Sequence, residues 1–90
     1  KEAAGDLHSV MERIRACESQ GNPLAKNKNS SASGSYQFLS SSWKYYGEMK
    51  WGTLEGRDVF NHADNEELAY WVAKREGFKP WAASRYCWTQ

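Results

Sequence analysis

The feature of this sequence that most constrains its fold is a row of apolar residues that ends in an acid. The apolar residues stand 4, 7, 8 and 11 positions before Glu18, and they are Ile14, Met11, Val10 and Leu7. This spacing is that of one face of an α-helix. Since successive helical residues are rotated by about 100°, Glu18 falls on the face that carries Met11 and Ile14. The sequence therefore predicts a helix whose last turn places a carboxyl group where a core residue would otherwise lie.

The position of Glu18 allows a chemical role and an ordinary one. Burial penalises the charged form of a carboxyl, so its pKa rises, and a carboxyl that stays protonated near neutral pH can act as a general acid. We therefore take Glu18 as the candidate catalytic residue of a sugar-cleaving enzyme. The ordinary alternative is a glutamate that reaches water at the helix end, or that pairs with Arg13 or Arg15.

The two cysteines, Cys17 and Cys87, stand near opposite ends of a chain of 90 residues. This length predicts one domain, residues 1–90 with a core at about 6–88, which is small enough to benefit from a covalent link. A disulfide would close a loop of about 70 residues, contribute about 4 kcal/mol in the chain-entropy model and favour an oxidising, extracellular setting. The alternative is a pair of buried free thiols.

Composition argues against several classes of protein. The 12 basic and 11 acidic residues give a net charge of +1 without a basic stripe, so no nucleic-acid partner is expected. No apolar run approaches the roughly 18 residues of a membrane span. No signal peptide is recognisable, so a secreted protein would be represented here by a processed or excised domain. His8 and His62 are too isolated for a metal site, and we expect no metal, no cofactor and a monomer.

Helix signals dominate the chain and predict a mainly α fold. Asp6 or Ser9 is expected to cap the first helix, which runs to about Ser19 and is stopped by Gly21 and the Asn22-Pro23 pair. Residues 22–35 are polar and form a loop long enough to be functional. We interpret this loop as one wall of a cleft.

Two further helices are expected in the second half of the chain. Ser40 or Ser41 is expected to cap a short helix that ends at Gly47. Asp64 is expected to cap another, which ends at a Gly77 C-cap. No strand or hairpin pattern is strong.

The segment around Gln37 is the second candidate site. Gly34 stands among small residues, where the backbone can approach a ligand closely. Gln37 has aromatic and apolar neighbours, which fits either a buried amide with internal partners or an amide that binds a ligand. Tyr36 and Trp43 flank it and offer flat rings to a sugar, although most aromatic residues of this chain are expected in the core.

Taken together, these motifs resemble the resuscitation-promoting-factor domain, the transglycosylase-like, lysozyme-related domain of actinobacterial cell-wall enzymes. The resemblance rests on residues 14–22 (IRACESQGN), residues 34–38 (GSYQF), Trp43 and the final Cys87. It spans about residues 8–88, and similar domains occur in bacteriophage lysins and tail proteins. It implies a small lysozyme-like fold with a substrate cleft and a Cys17–Cys87 disulfide. Such a disulfide would fix the residue before Glu18 to the C-terminal segment.

The resemblance also implies an activity, which is cleavage of the β-1,4 bond between N-acetylmuramic acid and N-acetylglucosamine in peptidoglycan glycan strands. Glu18 matches the catalytic acid, Gln37 the glutamine that lines the cleft, and Ser19 the serine beside the acid, where it is expected to help orient the carboxyl. Five residues are expected to bind substrate: Ser19, Ser33, Tyr36, Gln37 and Trp43. The domain is expected in the extracellular cell wall, or in a phage virion or lysin.

The mechanism depends on whether a second carboxylate is present. In animal-type lysozymes an aspartate lies five residues before the equivalent glutamine, and here that position is Ala32. Three later acids could fold into the cleft, namely Glu48, Asp58 and Asp64. We favour a lytic transglycosylase in which Glu18 alone serves as acid and then as base. The alternatives are a hydrolytic muramidase with two carboxylates and a peptidoglycan-binding module without turnover.

Overall fold

The computed structural model describes residues 3–89, with side chains from residue 7 onwards. In this range the chain forms α1 (Ala3–Ser19), α2 (Ser40–Trp51), α3 (His62–Glu76), a 3-10 helix (Lys79–Ser84) and α4 (Arg85–Trp88). The described part contains no β-strand, and the loop between α1 and α2 has only isolated bridges at Lys26–Ser33 and Ser33–Phe38. The mainly α fold is therefore confirmed.

Helix α1 ends where the sequence predicts but begins earlier. Gln20 and Gly21 have φ angles of 54° and 78°, and this left-handed backbone ends the helix. The predicted caps are wrong, because α1 begins at Ala3 and both Asp6 and Ser9 lie within it. An N-cap residue has non-helical backbone angles, so neither position can fill that role here.

Helix α2 departs from the prediction at both ends. Its N-cap is Leu39, which makes no side-chain cap, and the predicted caps Ser40 and Ser41 are the first residues of the helix. The helix also passes through Gly47, where we expected it to end. A Cβ atom at Gly47 would collide with the Leu54 side chain, so this glycine permits close packing inside a helix.

The N-cap of helix α3 lies three residues before the predicted cap. This N-cap is Asn61, whose side chain accepts a hydrogen bond from the Asp64 amide at 3.0 Å. The prediction of Asp64 as the cap is therefore wrong; its carboxylate instead bonds to Arg57 at 3.2 Å. The predicted C-cap is confirmed, since Gly77 follows the helix with a φ of 76°.

The core joins the apolar face of α1 to α3 and to a group of aromatic residues. Its buried members are Met11, Ile14, Tyr36, Phe38, Trp43, Leu68, Ala69, Val72, Ala73, Trp81 and Trp88. The indole N–H groups of the two C-terminal tryptophans both donate hydrogen bonds to backbone carbonyls. Trp81 Nε1 donates to the Tyr36 carbonyl and Trp88 Nε1 to the Trp81 carbonyl, both at 3.0 Å. The first bond fixes the segment after α3 against the loop before α2, and the second joins α4 to the 3-10 helix.

The C-terminal segment is also joined to α1. Cys17 is bonded to Cys87, with their Cα atoms 6.1 Å apart, which confirms the expected disulfide. Beside it, Arg13 Nε donates to the Trp88 carbonyl at 2.8 Å. Of the helices described, none combines the length and apolar character needed to cross a membrane.

Candidate active site

Glu18 lies half-buried in the last turn of α1, on the face that carries the fully buried Met11 and Ile14. Its Oε2 accepts a hydrogen bond of 2.5 Å from Ser84 Oγ, at the end of the 3-10 helix. Two elements far apart in the sequence therefore meet at this carboxyl. The disulfide one residue before Glu18 belongs to the same junction, because it fixes Cys87 to α1.

Neither arginine considered as a partner contacts the Glu18 carboxylate. Arg15 forms an ion pair with Glu12 at 2.7 Å. The Arg13 side chain bonds to the Trp88 carbonyl. Within the part of the chain that the structure describes, Glu18 therefore has a hydroxyl partner and no cationic one.

The pKa of Glu18 is raised above its ordinary value of 4.5, chiefly because burial penalises the carboxylate. The hydrogen bond from Ser84 acts in the opposite direction, since it stabilises the charged form. Burial is the larger effect, so the proton is retained to higher pH than in a solvated glutamate. A raised pKa of this origin is what a general acid needs near neutral pH.

Gln37 is connected to the end of α1 through a chain of hydrogen bonds. The Asn22 amide donates to the Ser19 carbonyl at 3.0 Å, and the Ala25 amide donates to the Asn22 carbonyl at 3.1 Å. The Ala25 carbonyl then accepts from Gln37 Nε2 at 3.2 Å. Nε2 also donates to the Gly34 carbonyl at 2.9 Å, and the residue has a left-handed backbone with a φ of 53°. The amide is thus held in place by its own loop.

A cavity of about 280 Å³ lies between this loop and the 3-10 helix. One wall is formed by residues 37–39 and the facing wall by residues 79–81, with Tyr46 and Glu76 among the other lining residues. The 3-10 helix therefore does two things, because it forms a wall of the cavity and carries Ser84 to Glu18. A larger hollow of about 550 Å³ is lined by residues of α1, α2 and α3, and by none of the predicted site residues.

Ser19 does not hold the Glu18 carboxyl. Its hydroxyl donates to the Arg15 carbonyl one turn earlier at 3.1 Å, and only 3% of the residue is exposed. The residue whose hydroxyl bonds to the acid is Ser84, which sequence reasoning missed. No local pattern marks Ser84, because its contact with Glu18 spans 66 positions of the chain.

The other predicted substrate contacts lie in or against the core. Tyr36 is fully buried, so its ring has no face to offer a sugar in this structure. Trp43 is 8% exposed and packs edge-on against Phe38 and Trp51, with ring centroids 5.8 and 5.7 Å away. Trp43 and the buried Ser33 line a small hollow of about 80 Å³. Of the predicted substrate-binding residues, Gln37 is the one that lines the larger cavity beside the 3-10 helix.

Gly34 does approach another group closely, but that group belongs to the protein. A Cβ atom at Gly34 would collide with the Asn65 side chain and the Val59 carbonyl. Asn65 is fully buried; its Oδ1 accepts from the Tyr36 amide at 2.9 Å and its Nδ2 donates to the Val59 carbonyl at 2.8 Å. Gly34 therefore lets the loop that carries Gln37 pack directly against α3. We expected Gly34 to approach a ligand closely, and it instead approaches Asn65 and Val59 of the protein itself.

The acids considered as a second carboxylate are engaged away from the cavity. Glu48 pairs with Lys44 at 2.9 Å, and Asp58 accepts from the Phe60 amide at 2.9 Å. Asp64 bonds to Arg57, as described above. The acid that lines the cavity is instead Glu76, whose Oε1 accepts a hydrogen bond from the Tyr46 hydroxyl at 2.7 Å. Its position near the end of α3 gave no sequence signal for this placement.

One other arrangement has the residue types of a hydrolytic triad. Ser35 Oγ lies 2.8 Å from His62 Nδ1, and His62 Nε2 lies 3.7 Å from Glu66 Oε1. Ser35 has no exposed surface, so its hydroxyl is closed to any substrate, and we interpret the row as structural. Among residues 7–89, no three His, Cys, Asp or Glu side chains are grouped so as to hold a metal ion.

Comparison with known families identifies the family of this chain. Residues 5–84 match the family model for a transglycosylase-like domain, and since this is most of the sequence, the chain belongs to that family. No curated protein and no solved structure matched the chain. Family membership confirms the resemblance to a lysozyme-like transglycosylase domain, and it supports a glycosidase-type enzyme that acts on peptidoglycan.

Proposed function

We propose that this domain cleaves the β-1,4 bond between N-acetylmuramic acid and N-acetylglucosamine in peptidoglycan, with Glu18 as the catalytic acid. The observation that carries the proposal is the state of Glu18. It is half-buried, its pKa is raised by that burial, and a hydroxyl rather than a cation holds it. A purely structural glutamate at a helix end would be expected in water or in an ion pair.

The proposed reaction uses one carboxyl twice. Protonated Glu18 gives its proton to the oxygen that leaves with N-acetylglucosamine, and the bond from that oxygen to the muramyl C1 breaks. The Glu18 carboxylate then takes the proton from the muramyl 6-hydroxyl, whose oxygen bonds to C1 and closes a 1,6-anhydro ring. Glu18 ends protonated, and no water is consumed. Such a step needs an acid whose pKa lies near the working pH, which burial favours here.

A hydrolytic muramidase is the second candidate, and Glu76 is the observation that favours it. Glu76 lines the cavity that Gln37 also lines, so it is the acid that could activate water in that cavity, although Glu18 is not among the residues that line it. Against this role, Glu76 Oε1 accepts a hydrogen bond from the Tyr46 hydroxyl, and Glu76 Oε2 lies 3.6 Å from Arg75 Nε, so the carboxylate already has a donor and a cation beside it. We therefore prefer the mechanism that uses Glu18 alone.

We also propose that the domain acts as a monomer outside the cytoplasm, in the cell wall of a bacterium or as part of a phage lysin or virion. The Cys17–Cys87 disulfide supports this setting, because disulfides persist in oxidising compartments. The proposed partner is the glycan strand of peptidoglycan.

Digestion of purified peptidoglycan, with the soluble products analysed by mass, tests the proposal. Products one water lighter than those of a hydrolytic muramidase would carry 1,6-anhydro ends and support the single-acid mechanism. Products with ordinary reducing ends would support hydrolysis and make Glu76 the next residue to substitute. Retention of the protein on the wall without soluble products would contradict catalysis and favour a binding module.

A further inference from the structure

The contact between Ser84 and Glu18 leaves the two oxygens of the carboxyl in different situations. Oε2 accepts from Ser84 Oγ at 2.5 Å. Between residues 7 and 89, no protein group forms a hydrogen bond with Oε1. A carboxylate oxygen already occupied by a strong donor is the poorer site for a proton, because the hydrogen bond neutralises part of its charge. The proton that Glu18 carries is therefore directed to Oε1.

Ser84 can keep its hydrogen bond to Glu18 in both protonation states of the acid. A serine hydroxyl has one hydrogen to donate and two lone pairs to accept with. When the proton of Glu18 lies on Oε1, Oε2 is a carbonyl oxygen and still accepts from Ser84 Oγ. The Trp81 carbonyl oxygen lies 3.2 Å from Ser84 Oγ on the same 3-10 helix. Both states of the acid are thus accommodated without moving the backbone.

The Ser84 hydroxyl is held in place by contacts on both sides in the sequence. Trp81 is 3% exposed and bonds to the Tyr36 carbonyl, which anchors the 3-10 helix to the Gln37 loop. Trp88 is also buried and donates to the Trp81 carbonyl, and the disulfide at Cys87 lies three positions after Ser84. A hydroxyl between two such anchors can fix the orientation of its partner.

We propose that Ser84 is the positioning residue of Glu18, which occupies Oε2 and leaves Oε1 to pass the proton to and from the substrate. The inference rests on the proposed function, since it assigns a role in the chemistry of the same acid. The burial that raises the pKa of Glu18 and the hydrogen bond that lowers it act together on this group. Ser84 therefore also limits how far the pKa of Glu18 is raised.

The test compares Ser84→Ala with Ser84→Thr, which keeps a hydroxyl, and with Ser41→Ala, which removes an exposed hydroxyl from α2. Two quantities are measured on each folded protein. The first is the titration midpoint of the Glu18 side chain by carbon-13 NMR without substrate. The second is kcat and KM against pH on soluble peptidoglycan fragments.

In Ser84→Ala we expect the Glu18 midpoint to rise, because the donor that stabilises the carboxylate is lost. For the same reason the alkaline limb of the activity profile should move to higher pH, since Glu18 stays protonated for longer. The value of kcat should fall by about tenfold with KM little changed, as for a lost hydrogen bond to a charged group. Ser84→Thr should restore both quantities, and Ser41→Ala should resemble the wild type.

An unchanged Glu18 midpoint in Ser84→Ala would overturn the inference whatever the activity. A raised midpoint with an unchanged kcat in an active enzyme would also overturn it, and would leave the role of Glu18 intact. If the midpoint rises but the wild-type domain releases no peptidoglycan fragments, the proposed function fails. The hydrogen bond would then be structural, so the two failures are distinguishable.

Discussion

Removing the disulfide should destabilise this domain by a large part of its total stability. Cys17 and Cys87 are 70 positions apart. A loop of this length restricts the unfolded chain by about 4 kcal/mol in the chain-entropy model. The total free energy of unfolding of a domain of this size is about 5–13 kcal/mol. The double variant Cys17→Ala/Cys87→Ala should therefore lose between about a third and most of its stability.

Urea unfolding followed by tryptophan fluorescence measures this loss. With a denaturant slope of about 1–2 kcal/mol per molar, the midpoint should fall by about 2–4 M. Reductant should produce a similar shift in the wild type and none in the double variant, which serves as its control. The reasoning would be refuted by a double variant that unfolds at the wild-type midpoint, because the closed loop would then contribute nothing.

Two further predictions concern backbone geometry and pH. Gly34 and Gly56 both have positive φ angles, of 84° and 80°, but a Cβ atom would collide with neighbours at Gly34 and meet none within 4 Å at Gly56. Gly56→Ala should cost about 1–2 kcal/mol for the left-handed backbone, and Gly34→Ala should cost about 1–3 kcal/mol more for the overpacking. The raised pKa of Glu18 means that the folded protein binds this proton more tightly than the unfolded chain does. The stability gained from that tighter binding is fully present below the ordinary pKa of 4.5, and it is lost as pH rises through the pKa of the folded state. Glu18→Gln should therefore be more stable than the wild type at neutral pH, with a difference that shrinks as the solution is acidified.

Chemical denaturation checks both predictions. Equal losses for the two alanine variants would show that the collision at Gly34 is relieved by movement of the loop. The contrary result for the second prediction is a stability difference between Glu18→Gln and the wild type that is the same at every pH. That result would show that burial does not raise the pKa of the Glu18 carboxyl.

The sequence predicted those parts of the structure that depend on neighbouring residues. The apolar spacing that ends at Glu18 placed this residue on the buried face of α1, and the local backbone signals at Gly21 and Gly77 marked the ends of two helices. Helix beginnings were predicted less well, because several polar residues in a row can each act as a cap. The choice among them depends on tertiary packing, which placed the α3 cap at Asn61.

The parts that sequence reasoning missed arise from contacts between distant segments. Ser84 reaches Glu18 because the disulfide and two buried tryptophans fix the C-terminal segment against α1. Glu76 enters the cavity wall only after α2 and α3 are packed together. The burial of Tyr36 also depends on a distant contact. The hydrogen bond from its backbone amide to Asn65 of α3 fixes the loop over the core, and the Tyr36 ring is fully buried there.

The central claim is that Glu18 carries the chemistry, and the rate of soluble fragment release from purified peptidoglycan tests it most directly. The variant is Glu18→Gln, which keeps the shape of the side chain and a hydrogen-bond acceptor for Ser84. Its matched control is Glu55→Gln, an exposed glutamate outside the helices. We expect Glu18→Gln to lose about 100-fold or more of the rate, as when a general acid is removed, while Glu55→Gln keeps the wild-type rate. A folded Glu18→Gln variant that releases fragments as fast as the wild type would contradict the assignment.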